Sequence, residues 1–431
     1  MNGRNWLVTV LLLSTLALAP ISSSAASLHP GRPSQSGPGT SLGPPPAEFP
    51  PRPANCIEDT RGGYQYWICM PTEGAWNKQL VVYAHGYVAP NAPIQVPVDQ
   101  LFLNGTYISD LLTLQGYAFA VSSYRVNGLA IKEGQEDLAD LTAYFKSLHP
   151  DTTRTYLIGV SEGALITALS AEKSPPAYDG AMAVCGPIGD FHLQVNYFAD
   201  FRAVFDYFFP DLIPGDATTV PDELLQGDNW VTYYAGTVWP EISKPVNQDK
   251  VSQLLRVTNA PPYEWPSPVT PANTEVVSTT VSSILWYNIF ATNDARAKLG
   301  GQPFDNTNRW YTGSKNDADL NLKVKRYTAD SAATAEVDAR YQTSGLPLVP
   351  IVTLHTTQDQ VVPYSHEPLY RSKILWNDVI ERHQNFTVAA YGHCNVDLLT
   401  TLAALNALLD AVENPPTHVP VKHAYLPMVA H

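Results

Sequence analysis

The feature that most constrains the fold is a short apolar run that passes directly into a helical pattern of small residues. Residues 155–158 read Thr-Tyr-Leu-Ile, and residues 164–169 are mostly Ala, Leu and Ile. Between them lies Gly159-Val160-Ser161-Glu162-Gly163, in which two glycines flank a serine. A strand that turns sharply into a helix needs glycine here, because the two backbones approach each other closely. The pattern predicts a strand, a tight turn at Ser161 and a helix.

Short apolar runs and helical patterns alternate over much of the chain. One amphipathic stripe is formed by Leu138, Leu141, Phe145 and Leu148, which recur at three- and four-residue steps. Alternation of strands and helices predicts an α/β fold with a doubly wound, mostly parallel sheet. The apolar runs that predict strands are residues 64–70, 79–84, 117–122, 155–160, 180–185, 348–354 and 386–391.

Residues 190–343 interrupt this alternation with a long segment rich in aromatic residues. A segment of this length is too long for a bare loop and should have secondary structure of its own. We therefore expect a largely helical cap, or lid, inserted into an α/β domain that residues 54–189 and 344–431 form together.

The N-terminus has the order of regions found in secretory signal peptides. Arg4 precedes an apolar run from Trp6 to Ala19, and small residues follow it. A membrane anchor is the alternative, but the run is shorter than the ~20 residues that a spanning helix needs. We predict a signal peptide at residues 1–26, a Pro-, Ser- and Gly-rich linker at 27–53, and a protein secreted to the periplasm or the extracellular space.

The four cysteines suit an oxidising compartment and allow three pairings. Cys56 and Cys69 flank a turn-like stretch at Arg61-Gly62-Gly63-Tyr64, so a local bridge between them is the simplest choice. That choice leaves Cys185 to pair with Cys394. Free or partly free thiols are the alternative.

Charge and motifs disfavour several classes of partner. The formal net charge is −14 and the chain has no run of Lys and Arg, so nucleic acid is not an expected partner. Beyond the N-terminus no stretch is long and apolar enough for stable membrane insertion. The metal-binding, dinucleotide and phosphate-loop motifs are missing from the sequence, and we expect no metal and no cofactor.

From Cys56 onward the chain resembles the α/β-hydrolase superfamily, whose catalytic residues follow the order Ser, acid, His. Ser161 lies in the strand–turn–helix motif described above. Asp359 lies in Thr356-Thr357-Gln358-Asp359-Gln360-Val361-Val362-Pro363, which is similar to the family's acid motif. His393 follows the last predicted strand, in Gly392-His393-Cys394. The resemblance implies a triad of Ser161, Asp359 and His393, in which histidine takes the serine proton and the carboxylate orients the histidine.

The same resemblance implies an oxyanion hole made from two backbone N–H groups. One belongs to Glu162, the residue after the serine. The other is assigned to Tyr87, because His85-Gly86-Tyr87 follows the strand that ends at Ala84. Asp397 is an alternative acid, and His366 and His383 are alternative bases.

These residues imply a secreted serine hydrolase that cleaves carboxylic esters, small or polymeric, through an acyl-enzyme on Ser161. A serine peptidase or amidase with the same triad is a second hypothesis, since triad chemistry alone does not separate esters from amides. A charge in the site would be needed to hold a peptide terminus, and Glu162 and Arg202 are candidates for it. A binding protein that kept the fold and lost the reaction is a third hypothesis.

Overall fold

The computed structural model of the chain describes residues 49–103 and 105–415. The predicted signal peptide and residues 27–48 of the predicted linker lie outside the described residues. Residues 49–53 of that linker belong to no helix or strand. Within the described ranges, no helix combines the length and the apolar character that crossing a membrane requires.

A single eight-stranded sheet organises the described chain, and its strand order is β1-β2-β6-β3-β7-β8-β9-β10. A separate two-stranded ribbon pairs β4 with β5. The strands are Cys56–Arg61 (β1), Tyr64–Cys69 (β2), Gln79–Ala84 (β3), Phe102–Leu103 (β4), Thr106–Tyr107 (β5), Ala118–Ser122 (β6), Arg154–Val160 (β7), Gly180–Val184 (β8), Ile351–Gln358 (β9) and His383–Tyr391 (β10).

The sheet is antiparallel at one edge and parallel elsewhere. The β1–β2 and β2–β6 pairs are antiparallel, whereas the pairs from β6 through β3, β7, β8 and β9 to β10 are parallel. The prediction of a mostly parallel, doubly wound sheet is confirmed. The strand order and the helices between parallel strands are those of the α/β-hydrolase fold.

Helices cover both faces of the sheet. Because successive side chains of a strand point to opposite faces, neighbouring residues pack into different layers. Leu80 and Val82 of β3 pack into one core, while Val81 and Tyr83 pack into the other. The helices are Ile108–Leu114 (α1), Ile131–Leu148 (α2), Glu162–Ala171 (α3), Phe191–Phe208 (α4), Asn229–Tyr233 (α5), Trp239–Ile242 (α6), Gln248–Val257 (α7), Pro271–Lys298 (α8), Asp317–Lys323 (α9), Ser331–Arg340 (α10), His366–Trp376 (α11) and Leu398–Glu413 (α12).

Helices α4 to α10 all lie between β8 and β9, and residues 185–350, every one of which is described, contain no strand. We call residues 190–343 the helical segment. Most of its buried aromatic and aliphatic side chains from Tyr197 to Val324 form a hydrophobic core of their own, separate from the cores on the sheet. Most of the aromatic residues in this segment therefore stabilise the segment itself.

Candidate active site

Ser161 occupies the turn between β7 and α3 in a conformation that few residues adopt. Its φ is 58° and its ψ is −120°, a strained combination for a residue with a side chain. The two flanking glycines make the turn possible. A Cβ on Gly159 would lie 2.0 Å from the carbonyl oxygen of Gly163, and one on Gly163 would lie 2.0 Å from that of Ala84. The predicted strand–turn–helix at Ser161 is therefore the observed local structure.

The structure brings Ser161, His393 and Asp359 into one hydrogen-bonded line. His393 Nε2 lies 2.8 Å from Ser161 Oγ, and His393 Nδ1 lies 2.8 Å from Asp359 Oδ2. All three residues are buried. Because an ionised carboxylate only accepts hydrogen bonds, His393 carries its proton on Nδ1 and offers Nε2 to the serine hydroxyl. This arrangement can take the hydroxyl proton and so activate Ser161 as a nucleophile.

Asp359 is held as a carboxylate by the groups around it. Its Oδ1 accepts hydrogen bonds from the backbone N–H groups of Val361 and Val362, at 2.8 and 2.9 Å. Burial alone would raise the pKa of Asp359. Electrostatic attraction and hydrogen bonds from His393 and His355 outweigh burial and hold that pKa well below its usual range.

The loop that carries His393 is fixed to β9 and β8. The N–H of Gly392 donates to the carbonyl of Gln358 at 3.1 Å, and the Thr356 hydroxyl donates to the carbonyl of Gly392 at 2.8 Å. A disulfide joins Cys394 to Cys185, which directly follows β8. The other disulfide, Cys56–Cys69, links opposed residues of β1 and β2. Both pairs are those expected from the sequence.

The two residues assigned to the oxyanion hole both line the cavity beside Ser161. Helix α3 begins at Glu162, and the first N–H groups of a helix have no acceptor within it. The loop of Tyr87 is held by Gln100, whose Oε1 accepts the N–H of Gly86 at 2.7 Å. Gln100 Nε2 also donates to the carbonyl of Tyr87 at 3.3 Å. The donor roles of Tyr87 and Glu162 remain a prediction.

The Glu162 side chain is buried and has an unusual charge state. Its Oε1 accepts the backbone N–H of Ala130 at 2.9 Å. Burial raises the pKa of Glu162 to about 8, although this hydrogen bond and the charge of Lys298 oppose the shift. Around neutral pH, most molecules therefore carry a neutral carboxyl group next to Ser161.

The alternative acid and bases from the sequence have other partners. Asp397 is exposed and caps helix α12, where its Oδ1 accepts the N–H of Thr400 at 2.8 Å. His366 Nδ1 accepts the N–H of Gly189 at 3.2 Å. His383 Nε2 lies 3.0 Å from the hydroxyl of Thr353.

A cavity of about 90 Å³ lies directly beside Ser161. Its walls are largely apolar and include side chains of the helical segment: Phe191, Val195 and Phe198 from α4, and Tyr287 and Ala291 from α8. The rings of Phe198 and Tyr287 are stacked, with centroids 4.9 Å apart. The space suits an apolar group bound next to Ser161.

Sequence reasoning missed three polar residues at this site: Gln100, Tyr287 and His355. The hydroxyl of Tyr287 hydrogen-bonds the Ser161 side chain, although Tyr287 belongs to α8 of the helical segment. No motif or spacing marks these residues, because each reaches the site from an element whose position only the fold defines. The aromatic content of the helical segment was the one available signal for Tyr287.

One group of potential metal ligands occurs among the described residues, and it coincides with the site. Side-chain atoms of Cys185, His393 and Cys394 lie close together. The two cysteines are joined in a disulfide, so neither offers the thiolate that binds a metal.

No protein-family model and no curated protein sequence matches the chain. Among solved structures, acylaminoacyl peptidase from Pyrococcus horikoshii is similar at 10% identity and a TM-score of 0.38, and the match covers 78% of this chain and 37% of that one. Feruloyl esterase B from Aspergillus oryzae is similar at 12% identity and a TM-score of 0.42, with 82% of this chain and 79% of that one covered. Esterase Pf2001 from Pyrococcus furiosus is similar at 11% identity and a TM-score of 0.40, with 83% of this chain and 90% of that one covered. The chain thus spans little more than a third of the length of the archaeal peptidase.

These identities and TM-scores are low, so the classification rests on the chain's own strand order and site. An eight-stranded sheet in this order, with Ser161 at the turn after β7, Asp359 after β9 and His393 after β10, is the arrangement of the α/β-hydrolase fold.

Proposed function

We propose that the protein is a secreted carboxylic ester hydrolase that works through an acyl-enzyme on Ser161. The observation that carries this proposal is the alignment of Ser161, His393 and Asp359 at hydrogen-bond distances of 2.8 Å. The signal-like N-terminus and the two disulfides support export.

In the proposed reaction, His393 Nε2 takes the Ser161 proton while Oγ attacks the ester carbonyl carbon. The negative charge that develops on the carbonyl oxygen is stabilised by the N–H groups of Tyr87 and Glu162. Losing one such donor typically costs about 3 kcal/mol of transition-state stabilisation. The alcohol leaves with the proton from His393. Water then attacks the acyl-enzyme and gives a proton to His393, which passes it to Ser161 Oγ as the bond to the acyl group breaks and the acid leaves.

The charge distribution around Ser161 supports a neutral substrate. Arg202 was a candidate anchor for a peptide terminus, but it is fully buried and hydrogen-bonds Asp206 and the carbonyl of Ile213. Glu162 was the other candidate, and its carboxyl group is bonded to Ala130 and mostly neutral near pH 7. A peptidase that recognises a charged terminus needs an ion at the site, and neither residue offers one.

The cavity supports a small apolar acyl group. An engineered cavity of ~150 Å³ binds benzene, and the space beside Ser161 is smaller. We propose that the helical segment acts as a cap on this space. Besides lining it, the segment contacts the loop after β3, where the Tyr87 hydroxyl donates to the carbonyl of Phe290 at 3.3 Å.

The test is a panel of p-nitrophenyl esters and aminoacyl p-nitroanilides, assayed with the wild type, Ser161→Ala and Ser170→Ala. Ser170 is a buried serine in the helix that follows the nucleophile, so its variant is the matched control. We expect short-chain ester hydrolysis that drops at least ~10³-fold in Ser161→Ala and persists in Ser170→Ala. Anilide hydrolysis without ester hydrolysis would reject the esterase assignment in favour of an amidase.

A fluorophosphonate probe separates an enzyme from a binding protein, because it reports an activated serine without any substrate. We expect labelling of the wild type and the Ser170→Ala variant, and none of Ser161→Ala. A wild type that is neither labelled nor active on either substrate class would indicate a binding protein with this fold.

A further inference from the structure

A second buried histidine lies behind the catalytic acid. His355 is in β9 and is fully buried. Its Nε2 lies 3.0 Å from the carbonyl oxygen of Val362 and 3.5 Å from Asp359 Oδ2. Its Nδ1 lies 3.3 Å from Glu367 Oε1. The ring therefore fits between the carboxyl groups of Asp359 and Glu367.

The partners of His355 indicate which of its nitrogens carry protons. A carbonyl oxygen only accepts hydrogen bonds, so Nε2 must be protonated to bond Val362. On the other side, Glu367 Oε2 accepts hydrogen bonds from Thr353 Oγ1 and Asn385 Nδ2, both at 2.7 Å. An oxygen that accepts two such bonds is satisfied as part of a carboxylate, which leaves Oε1 to accept from a protonated Nδ1.

We infer that His355 is a positioning residue, a buried imidazolium that pairs with Glu367 and Asp359 and holds the Asp359 carboxylate in place behind His393. Burial alone would lower the pKa of His355, but hydrogen bonds to Asp359 and Glu367 outweigh burial and raise it to about 10. The inference rests on the proposed triad, and it adds a fourth residue, a cation, behind the Asp359 carboxylate.

The other titratable groups near His355 do not replace this charge. His366, on helix α11, has its pKa lowered to about 3 by burial and by the charge of His355, so it is neutral. His383, on β10, reaches Glu367 through Thr353, and burial lowers its pKa to about 4. The Tyr364 ring meets His355 edge-on, with centroids 5.9 Å apart.

A cation at His355 has a consequence for the reaction. It shares the Asp359 carboxylate with His393 and repels a second positive charge on that ring. His393 must be neutral to take the Ser161 proton, and this repulsion disfavours the cationic form, which cannot take it. Without the cation, the acid limb of the kcat/KM profile should move to higher pH, by roughly one to three units for charges ~4–10 Å apart at an effective dielectric constant of ~20.

The experiment compares kcat/KM against pH for the wild type, His355→Gln, the double variant His355→Gln/Glu367→Gln, and His383→Gln as the matched buried-histidine control. The single variant leaves Glu367 as an unpaired buried anion and is expected to lose stability. The double variant removes both charges and is the one that keeps the test decisive. We expect the acid limb of the kcat/KM profile to move to higher pH in both His355 variants, and further in the single variant than in the double one. In His383→Gln it should stay at the wild-type pH. A folded double variant with an unchanged acid limb would overturn the inference.

A second measurement does not depend on hydrolysis. Nitrogen-15 NMR of histidine side chains, with His355 assigned from the spectrum of the double variant, reports protonation directly. Two protonated ring nitrogens at pH 7 to 8 are expected, and a neutral tautomer would overturn the inference. If the protein proves inactive on every substrate, this result still decides the charge of His355, so the two proposals fail separately.

Discussion

Cys185 and Cys394 are joined by a disulfide, and Cys394 directly follows His393. The bond closes 209 residues of sequence and connects the end of β8 to the loop that carries the proposed base. Since β8 neighbours β7, which leads into Ser161, the disulfide fixes the His393 loop to the part of the sheet that positions Ser161.

Replacing this disulfide with Cys185→Ala/Cys394→Ala should reduce both stability and turnover. Closing a long loop restricts the unfolded chain, so we expect a loss of about 2–5 kcal/mol in the free energy of unfolding, measured in guanidinium chloride. We also expect kcat to fall at least tenfold, because His393 loses a support next to it. The control is Cys56→Ala/Cys69→Ala, whose bond closes 13 residues at the edge of the sheet. That variant should lose about 3 kcal/mol of unfolding free energy and keep its kcat. An equal loss of kcat in both variants would contradict a specific role of the Cys185–Cys394 bond in supporting His393.

Phe198 should limit the length of the acyl group. Its ring lines the cavity and stacks on Tyr287, so Phe198→Ala enlarges the space beside Ser161. We expect the preferred p-nitrophenyl ester to shift from acetate or butyrate to a longer chain, with kcat/KM for the octanoate rising at least tenfold relative to the acetate. Phe208→Ala is the matched control, since Phe208 lies on the same helix but packs in the core of the helical segment. If both variants showed the same chain-length ranking, the cavity would not be the acyl site.

Much of the fold could be predicted because buried parallel strands are apolar on both faces. The strand predicted at residues 79–84 has the observed bounds, and the one at 155–160 begins one residue early, at Arg154. Strand β1 was not predicted, because five of its six residues are exposed and it has no apolar run. Predicted strand 348–354 begins at Ile351 and continues to Gln358, since polar threonines and His355 are buried there by side-chain partners that a sequence does not reveal.

The candidate site likewise contains residues that the sequence could identify and residues that it could not. Ser161, Asp359 and His393 could be identified because each lies in a local pattern at the end of a strand. Tyr287 and His355 could not, because their chemistry comes from partners far away in the sequence. Tyr287 reaches Ser161 from α8, and Glu367 approaches His355 from α11. Long-range pairings of this kind depend on how helices pack against the sheet, which no local pattern encodes.

Glu162 should make stability depend on pH. Its pKa is about 8 in the folded protein, compared with 4.5 for an ordinary glutamate. Between these values the folded protein binds more protons than the unfolded chain, so the free energy of unfolding falls as pH rises through this window. The full shift corresponds to roughly 5 kcal/mol. Glu162→Gln removes this titration, so the variant should match the wild type near pH 4.5 and exceed its melting temperature at pH 8.5. Parallel curves of melting temperature against pH would contradict the raised pKa.

Gly163 should tolerate no side chain. A Cβ there would lie 2.0 Å from the carbonyl oxygen of Ala84 and 2.6 Å from that of His85, and neither backbone atom can move aside as a flexible side chain could. Because β3 ends at Ala84, the displacement would also move the loop of Tyr87. We expect Gly163→Ala to lose at least ~3 kcal/mol of unfolding free energy or to be recovered as insoluble protein.

The matched control for Gly163→Ala is Gly236→Ala, in an exposed helical turn with nothing within 4 Å of the added Cβ. An alanine fits that backbone and restricts the unfolded chain, so this variant should gain about 0.4–1 kcal/mol. Measuring soluble yield, unfolding free energy and ester turnover for both variants separates close packing at the nucleophile turn from a general effect of replacing glycine. A soluble Gly163→Ala protein with wild-type turnover would show that the turn has more room than the backbone contacts around Ser161 allow.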